Sequence, residues 1–225
     1  YNSENASLMP ALINTVIMTL LSLLLAVPIG IFSAIFLAEY AGKGNKFVDI
    51  IRLTTETLSG IPSIVYGLFG MLFFVSTCHW GFSLLAGAFT LAIMILPLIM
   101  RTTEEALLSV PDSYREGSFG LGAGKLRTVF YIVLPSAVPG ILAGVILAIG
   151  RIVGETAALI YTAGSVAQVP SSVLGSGRTL AVHMYLLASE GLYMDQAYAT
   201  AVILLVLVVV INTLSGIVAK RLTKA

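Results

Sequence analysis

Charged residues are absent from residues 5–38, 57–100, 128–150, 156–177 and 196–219, and apolar side chains dominate each of these runs. A membrane helix needs about 20 mostly apolar residues, and the run 57–100 has room for two with a turn between them. The pattern predicts an all-α, polytopic bundle of five transmembrane helices, at 10–38, 61–78, 82–100, 136–164 and 196–218, forming a single transmembrane domain over residues 1–225. The turn inside the long run is Ser76-Thr77-Cys78-His79-Trp80-Gly81, where Trp80 suits an interfacial position.

Pro28 and Gly30 in the first span and Pro97 in the third predict kinks, tolerated where neighbouring helices or water satisfy the freed carbonyls. The fourth span places small residues four apart on two adjacent tracks, Gly140, Gly144 and Ala148 beside Gly150 and Gly154. Such tracks let helix backbones approach closely, which suits packing within one bundle and equally a subunit seam.

Residues 101–135 read as short helices. Thr103–Leu108 extends the third span until Pro111 breaks it, and Ser109-Val110-Pro111-Asp112 reads as a capping box leading into a helix over 113–119, which Gly120, Gly122 and Gly124 end. Residues 165–195 combine a Pro/Ser/Gly loop with an apolar helical run, Leu180–Ser189, too short to span and expected to be re-entrant or surface-lying. His183 on that run reads as a packing residue.

Composition narrows the function. Hydrophobic residues make up 58% and charged residues 10% of the 225, against roughly 25% charge in an ordinary soluble domain, and the mean hydropathy is +1.00. A net charge of +1 leaves no basic face for nucleic acid, and one cysteine with two histidines makes neither a disulfide nor a structural zinc site. Lys43, Lys46, Arg52, Arg101, Arg115, Lys125, Arg127, Lys220, Arg221 and Lys224 all fall on one side of the predicted membrane, which makes that side cytoplasmic; Arg178 alone falls in the opposite loops. Residues 1–9 are then outside, and a chain opening on Tyr1 without a signal-peptide pattern is expected to be preceded by a sixth span.

Gly120-Leu-Gly122-Ala-Gly124-Lys125-Leu126 lacks the glycine spacing and the Ser or Thr of a phosphate-binding loop. Gly175-Ser176-Gly177 with His183 leaves an intramembrane serine protease as the alternative from another class, against a plain glycine-serine turn. Asn5-Ala6-Ser7 is formally a glycosylation sequon. Arg151 and Glu155, expected on one face of the fourth span, stand out more strongly. An arginine at mid-bilayer costs at least about 2.5 to 3.5 kcal/mol, so it must face a partner or a water-filled path. Either the two residues pair and join helices, or Arg151 meets a passing oxyanion while Glu155 limits its hold.

Glu116-Gly117-Ser118, Gly122 and Ile132-Val133-Leu134-Pro135 carry the spacing of a known signature: Glu-Ala-Ala, three residues, Gly, nine residues, Ile-x-Leu-Pro. The chain thereby resembles the permease subunits of ATP-binding-cassette importers, departing at Gly117 and Ser118, where Gly for Ala costs a helix about 1 kcal/mol. Within that family Gly60–Gly70, Gly150–Leu159 and Leu180–Tyr185 are similar to the phosphate permeases, and to their A-type in particular. The resemblance implies a MetI-like fold and uptake of inorganic phosphate, with other oxyanions, or a mere scaffold subunit, as rivals. It implies four kinds of partner: a C-type phosphate permease, an ATP-binding subunit dimer holding the ATP and magnesium, an extracytoplasmic phosphate-binding protein, and membrane lipid. It also implies that this chain is no enzyme and holds no cofactor. The resemblance places Glu116, Gly117, Ser118, Gly122, Ile132, Leu134 and Pro135 at the ATPase docking surface and Arg151 and Glu155 on the substrate path. Pro111 and Pro135 bracket the docking segment, which could then act as a lever on the third and fourth spans.

Overall fold

The computed structural model describes residues 7–41, 46–191 and 193–223, with side chains at all of these but 214, 215 and 218–223. Lys43, Lys224 and residues 5 and 6 of the sequon lie outside the described residues, as do the side chains of Lys220 and Arg221. The described residues form helices and no strand. Helix α1 (Met9–Ile35) runs on through a π-helical turn, Phe36–Tyr40; α2 is Lys46–Ser59; α3 (Ser63–Gly70) continues through a π turn, Met71–Thr77; α4 is Leu84–Leu108 and α5 Asp112–Gly120. Helix α6 (Lys125–Thr128) leads through a third π turn, Val129–Val133, into α7 (Leu134–Val153), followed by α8 (Ala157–Ile160), α9 (Leu180–Glu190) and α10 (Met194–Thr223).

Four helical stretches, Met9–Tyr40, Leu84–Leu108, Lys125–Val153 and Met194–Thr213, are long and apolar enough to cross a membrane. The bent pair α2–α3, turning by 101°, makes a fifth if its two halves count as one span. Of the second predicted span, 61–78, helix covers Ser63–Thr77, beyond a sharp break from α2. Pro62 removes an N–H at the break and steers Ile61 out of helical geometry, and the Tyr66 hydroxyl donates to the Leu58 carbonyl at 2.8 Å across it. The fourth predicted span also needs correction. It starts at Lys125 and stops at Val153, and Gly154, Glu155 and Thr156 separate it from the single turn of α8. Apolar residues continue past this interruption, so hydropathy alone did not register it.

Helix α4 is the axis of the bundle, with 67% of its most apolar stretch buried, whereas only 11% is buried in α10. Leu91, Met94, Ile95 and Ile99 of α4 pack with Met18 and Ala26 of α1, Tyr66 of α3, Ala148 and Ile152 of α7, and Leu159. Lipid tails are as apolar as leucine, so helices associate in a membrane by close packing more than by expulsion of water. Gly140 and Gly144 serve that contact: a Cβ at Gly140 would stand 2.7 Å from Ala106 Cβ, and one at Gly144 would run into the Thr102 hydroxyl. On the other track Gly150 lies nearest Asn212 of α10, while the atom nearest Gly154 is the Gly150 carbonyl of its own helix. The Gly140–Gly144 track is thus used inside this chain.

Pro135 stands in the first turn of α7, one residue past the π turn Val129–Val133. A wider turn gives its ring room against the Tyr131 carbonyl, so the helix passes through a residue that would otherwise break it. The expected capping box is absent: Pro111 occupies the cap of α5 with no side-chain bond, and Ser109 Oγ instead donates back to the Ala106 carbonyl at 2.8 Å. Trp80 stacks on Phe74 with ring centroids 5.3 Å apart and meets Phe89 edge-on, so it belongs to an aromatic cluster at the α3–α4 turn.

Lys46, Arg52, Arg101, Arg115, Lys125 and Arg127 mark the basic end of the bundle. At the opposite end residues 161–179 fold over the starts of α1 and α4. The Leu84 and Leu85 amides, orphaned by the start of α4, donate to the Gly175 and Val173 carbonyls, and Ser83 Oγ accepts from the Ala86 amide. Arg178, the lone basic residue of this end, is 1% exposed and therefore no exposed loop charge. His183 is fully buried and has a partner, which agrees with a packing role.

Candidate functional site

A cavity of about 450 Å³ opens between α2, α4 and the end of α7, lined among others by Arg52, Glu56, Arg101, Glu104, Glu105 and Arg151. Arg52 reaches from α2 to α4, donating from Nε and Nη2 to Glu104 Oε1 at 2.9 and 2.6 Å. Arg101 donates to Glu105 at 2.9 Å, one turn along α4. Arg151 sits half-buried in the last turn of α7. Among the described residues the ion pairs are Arg52–Glu104, Arg101–Glu105, Arg115–Glu39 and Arg115–Asp112, and Arg151 enters none of them.

Glu155 is not on the Arg151 helix face. It lies beyond the end of α7, 9% exposed, and its Oε1 accepts the Ala158 amide at 3.1 Å. The expected pair is thus divided: Arg151 faces the charged cavity, while Glu155 closes the first turn of α8. That turn packs on α3 so tightly that a Cβ at Gly67 would lie 2.8 Å from Ala158 Cα.

A second concavity, about 570 Å³, lies at the basic end between α5 and the α6–α7 helix and is lined by Gly117, Ser118, Gly122 and Ile132 with Tyr114 and Arg127. Four of the seven expected docking residues therefore share one surface. Glu116 and Pro135 are exposed beside it, and Leu134 packs inward against the small core of Ile35, Leu107, Val129 and Val133. Ser118, where the signature has alanine, is 5% exposed and shares a hydrogen bond of 2.8 Å with Thr128 Oγ1. Its hydroxyl is tolerated because a second hydroxyl meets it. Leu121 at the tip of α5 is 92% exposed, and Gly122 follows it at φ 83°, a backbone that suits glycine.

Arg115, in sequence one of several positive charges, is multiply bonded at this end. Its guanidinium donates to Glu39 at 2.7 Å, to the Leu107 and Val110 carbonyls at 2.8 and 2.7 Å, and to Asp112 at 3.2 Å. One turn of α5 is thereby fastened to the end of α4 and to the π turn of α1. Beside it, the Lys125 ammonium stands 5.2 Å from the centre of the Tyr40 ring.

The family model described as "Binding-protein-dependent transport system inner membrane component" matches residues 26–224. The chain belongs to this family. As a member it is a multi-pass membrane permease of an ATP-binding-cassette importer, a transport component rather than an enzyme, and acts with an ATPase and a substrate-binding protein. The protease alternative falls with this, and Ser176 Oγ in any case donates to the Ala163 carbonyl at 2.8 Å. A "Probable ABC transporter permease protein YqgI" of Bacillus subtilis (strain 168) is 36% identical over 94% of this chain and 79% of its own length. The "Phosphate transport system permease protein PstA" of Pasteurella multocida (strain Pm70) is 36% identical over 95% of this chain and 76% of its own. A "Phosphate transport system permease protein PstA 2" of Mycobacterium bovis is 42% identical over 68% of this chain, which spans 50% of that relative. Among solved structures, the permease fold recurs in inward-facing conformations of the MetNI methionine ABC transporter, with a TM-score of 0.80 over 96% of both chains at 22% identity.

Proposed function

We propose that the chain is the A-type permease of an importer for inorganic phosphate, paired with a C-type permease. The observation that carries this reading is Arg151, brought by the end of α7 to the wall of a charged cavity without a carboxylate of its own. The likeness to relatives named as phosphate transport permeases supports the choice of anion. The guanidinium offers five donors and a permanent charge to a phosphate oxyanion. Three arginines and three glutamates on the cavity wall cancel formally, so the anion is received without being trapped. Glu155, in this reading, acts on the path by holding the α7–α8 break in place.

The basic end faces the cytoplasm across the inner membrane, by the distribution of lysine and arginine. There the concavity of Gly117, Ser118, Gly122 and Ile132, flanked by Glu116 and Pro135, receives an ATP-binding subunit dimer; Leu134 supports it from the core. ATP and magnesium are held by that dimer, and an extracytoplasmic phosphate-binding protein delivers the substrate at the opposite end.

The test is uptake of labelled phosphate into proteoliposomes holding the full complex, native or Arg151→Gln, with subunit content and ATP hydrolysis measured in the same preparation. Lost uptake by an intact, ATP-hydrolysing complex is expected. Unchanged uptake would reduce Arg151 to packing, and absent uptake by the native complex would overturn the substrate.

A further inference from the structure

Helix α1 is fastened at both ends to segments distant in the chain. At the basic end, consecutive residues of its π turn, Glu39 and Tyr40, hold Arg115 of α5 and Lys125 of α6. The ion pair is largely removed from solvent, with side chains 14% and 8% exposed. At the opposite end Asn14 Nδ2 donates to the Gln168 and Arg178 carbonyls at 2.9 and 3.1 Å, and Thr15 Oγ1 accepts the Leu180 amide at 2.9 Å. Asn14 and Thr15 are buried, so these bonds compete little with water. Between Asn14 and Glu39 lies a helix of about 38 Å at 1.5 Å per residue, unbroken through Pro28 and seated along α4.

We propose that α1 is the rod that couples the docking segment to the cap at 161–179, with Arg115 the positioning residue that transmits the movement of α5 to it. The inference rests on the permease reading. It differs from a lever running through Pro111 and Pro135 into α4 and α7, because the contact that grips α1 comes from a side chain at the centre of α5. A helix is stiff along its axis, so a shift at Glu39 reaches Asn14 and Thr15, and through them the carbonyls of the cap. Helix proximity alone is not coupling; the two anchored ends supply a mechanical route whose removal is measurable.

The experiment uses the complete importer in proteoliposomes. Cys78 is the chain's one cysteine, so Cys78→Ser with Ser171→Cys places a single thiol on an exposed position of the cap. Its rate of modification by a membrane-impermeant maleimide is compared without nucleotide and with ATP and vanadate. In the otherwise native chain the two rates differ. With Arg115→Gln, and separately with Glu39→Gln, ATP hydrolysis and subunit content persist, the two rates converge, and uptake falls by about tenfold or more, within the range of known couplings. The double variant falls no further than either single one. Arg115→Lys, which keeps the charge but not the fork, restores part of the difference. Tyr40→Leu, which removes only the cation–π contact, gives a smaller loss and keeps the test valid where Arg115→Gln fails to assemble. Retained nucleotide dependence of modification in Arg115→Gln or Glu39→Gln would overturn the rod. Equal rates and absent uptake in the native chain would instead strike the permease reading.

Discussion

Arg151 and Arg115 carry the same side chain to opposite ends of its range of use. Arg115 spends its donors on Glu39, Asp112 and two carbonyls, and joins three helices. Arg151 lies against a cavity in which the neighbouring arginines, Arg52 and Arg101, already hold Glu104 and Glu105. A guanidinium that is fully engaged makes a joint. One that borders an open charged space and enters no ion pair is available to an anion.

The largest effect that would break this contrast is in uptake. Arg151→Gln is expected to abolish phosphate uptake by the reconstituted complex while its thermal unfolding in detergent stays near native. Arg115→Ala should lower stability as well as uptake. Losing one partner of a largely buried pair costs about 3 to 5 kcal/mol, visible as a lowered unfolding midpoint of the purified subunit complex. Gly67→Ala tests the support of the path, since its Cβ would press on the backbone of α8; a destabilisation of about 1 to 3 kcal/mol is expected from such overpacking, read in the same melt. Ser118→Ala removes a shared hydroxyl contact but leaves Thr128 its bond to Gly124, so a change of about 1 kcal/mol is expected. Arg52→Gln opens a pair whose arginine is 48% exposed. It should move stability by about 0 to 1 kcal/mol, so that any larger change in uptake reports the cavity's charge rather than its fold.

The spans were legible because membrane helices write themselves as charge-free runs, and four of the five predictions land on long helices for that reason. Two interruptions were not legible. The bend at Gly60–Pro62 falls where the charged helix α2 meets the apolar α3, and the end of α7 at Gly154 falls between Arg151 and Glu155 with apolar residues beyond; hydropathy has no means of registering a change of direction at either place. Arg151 could be found from sequence because a charge within an apolar run is costly wherever it points. Its separation from Glu155 could not, since four residues mean one helix face only while the helix lasts. Arg115 escaped for a different reason: Glu39 is 76 positions away, and a tertiary contact of that kind leaves no periodic trace.

The π turn at Phe36–Tyr40 sets the register of the contacts at the basic end. Such a turn is an α-helix that has accommodated one extra residue, and one residue is about 100° of rotation around the axis. Removing a single residue from this turn would leave α1 apolar and long enough to span, yet would swing Glu39 and Tyr40 away from Arg115 and Lys125. The grip on α5 and α6 therefore depends on the one-residue shift of register that this turn supplies.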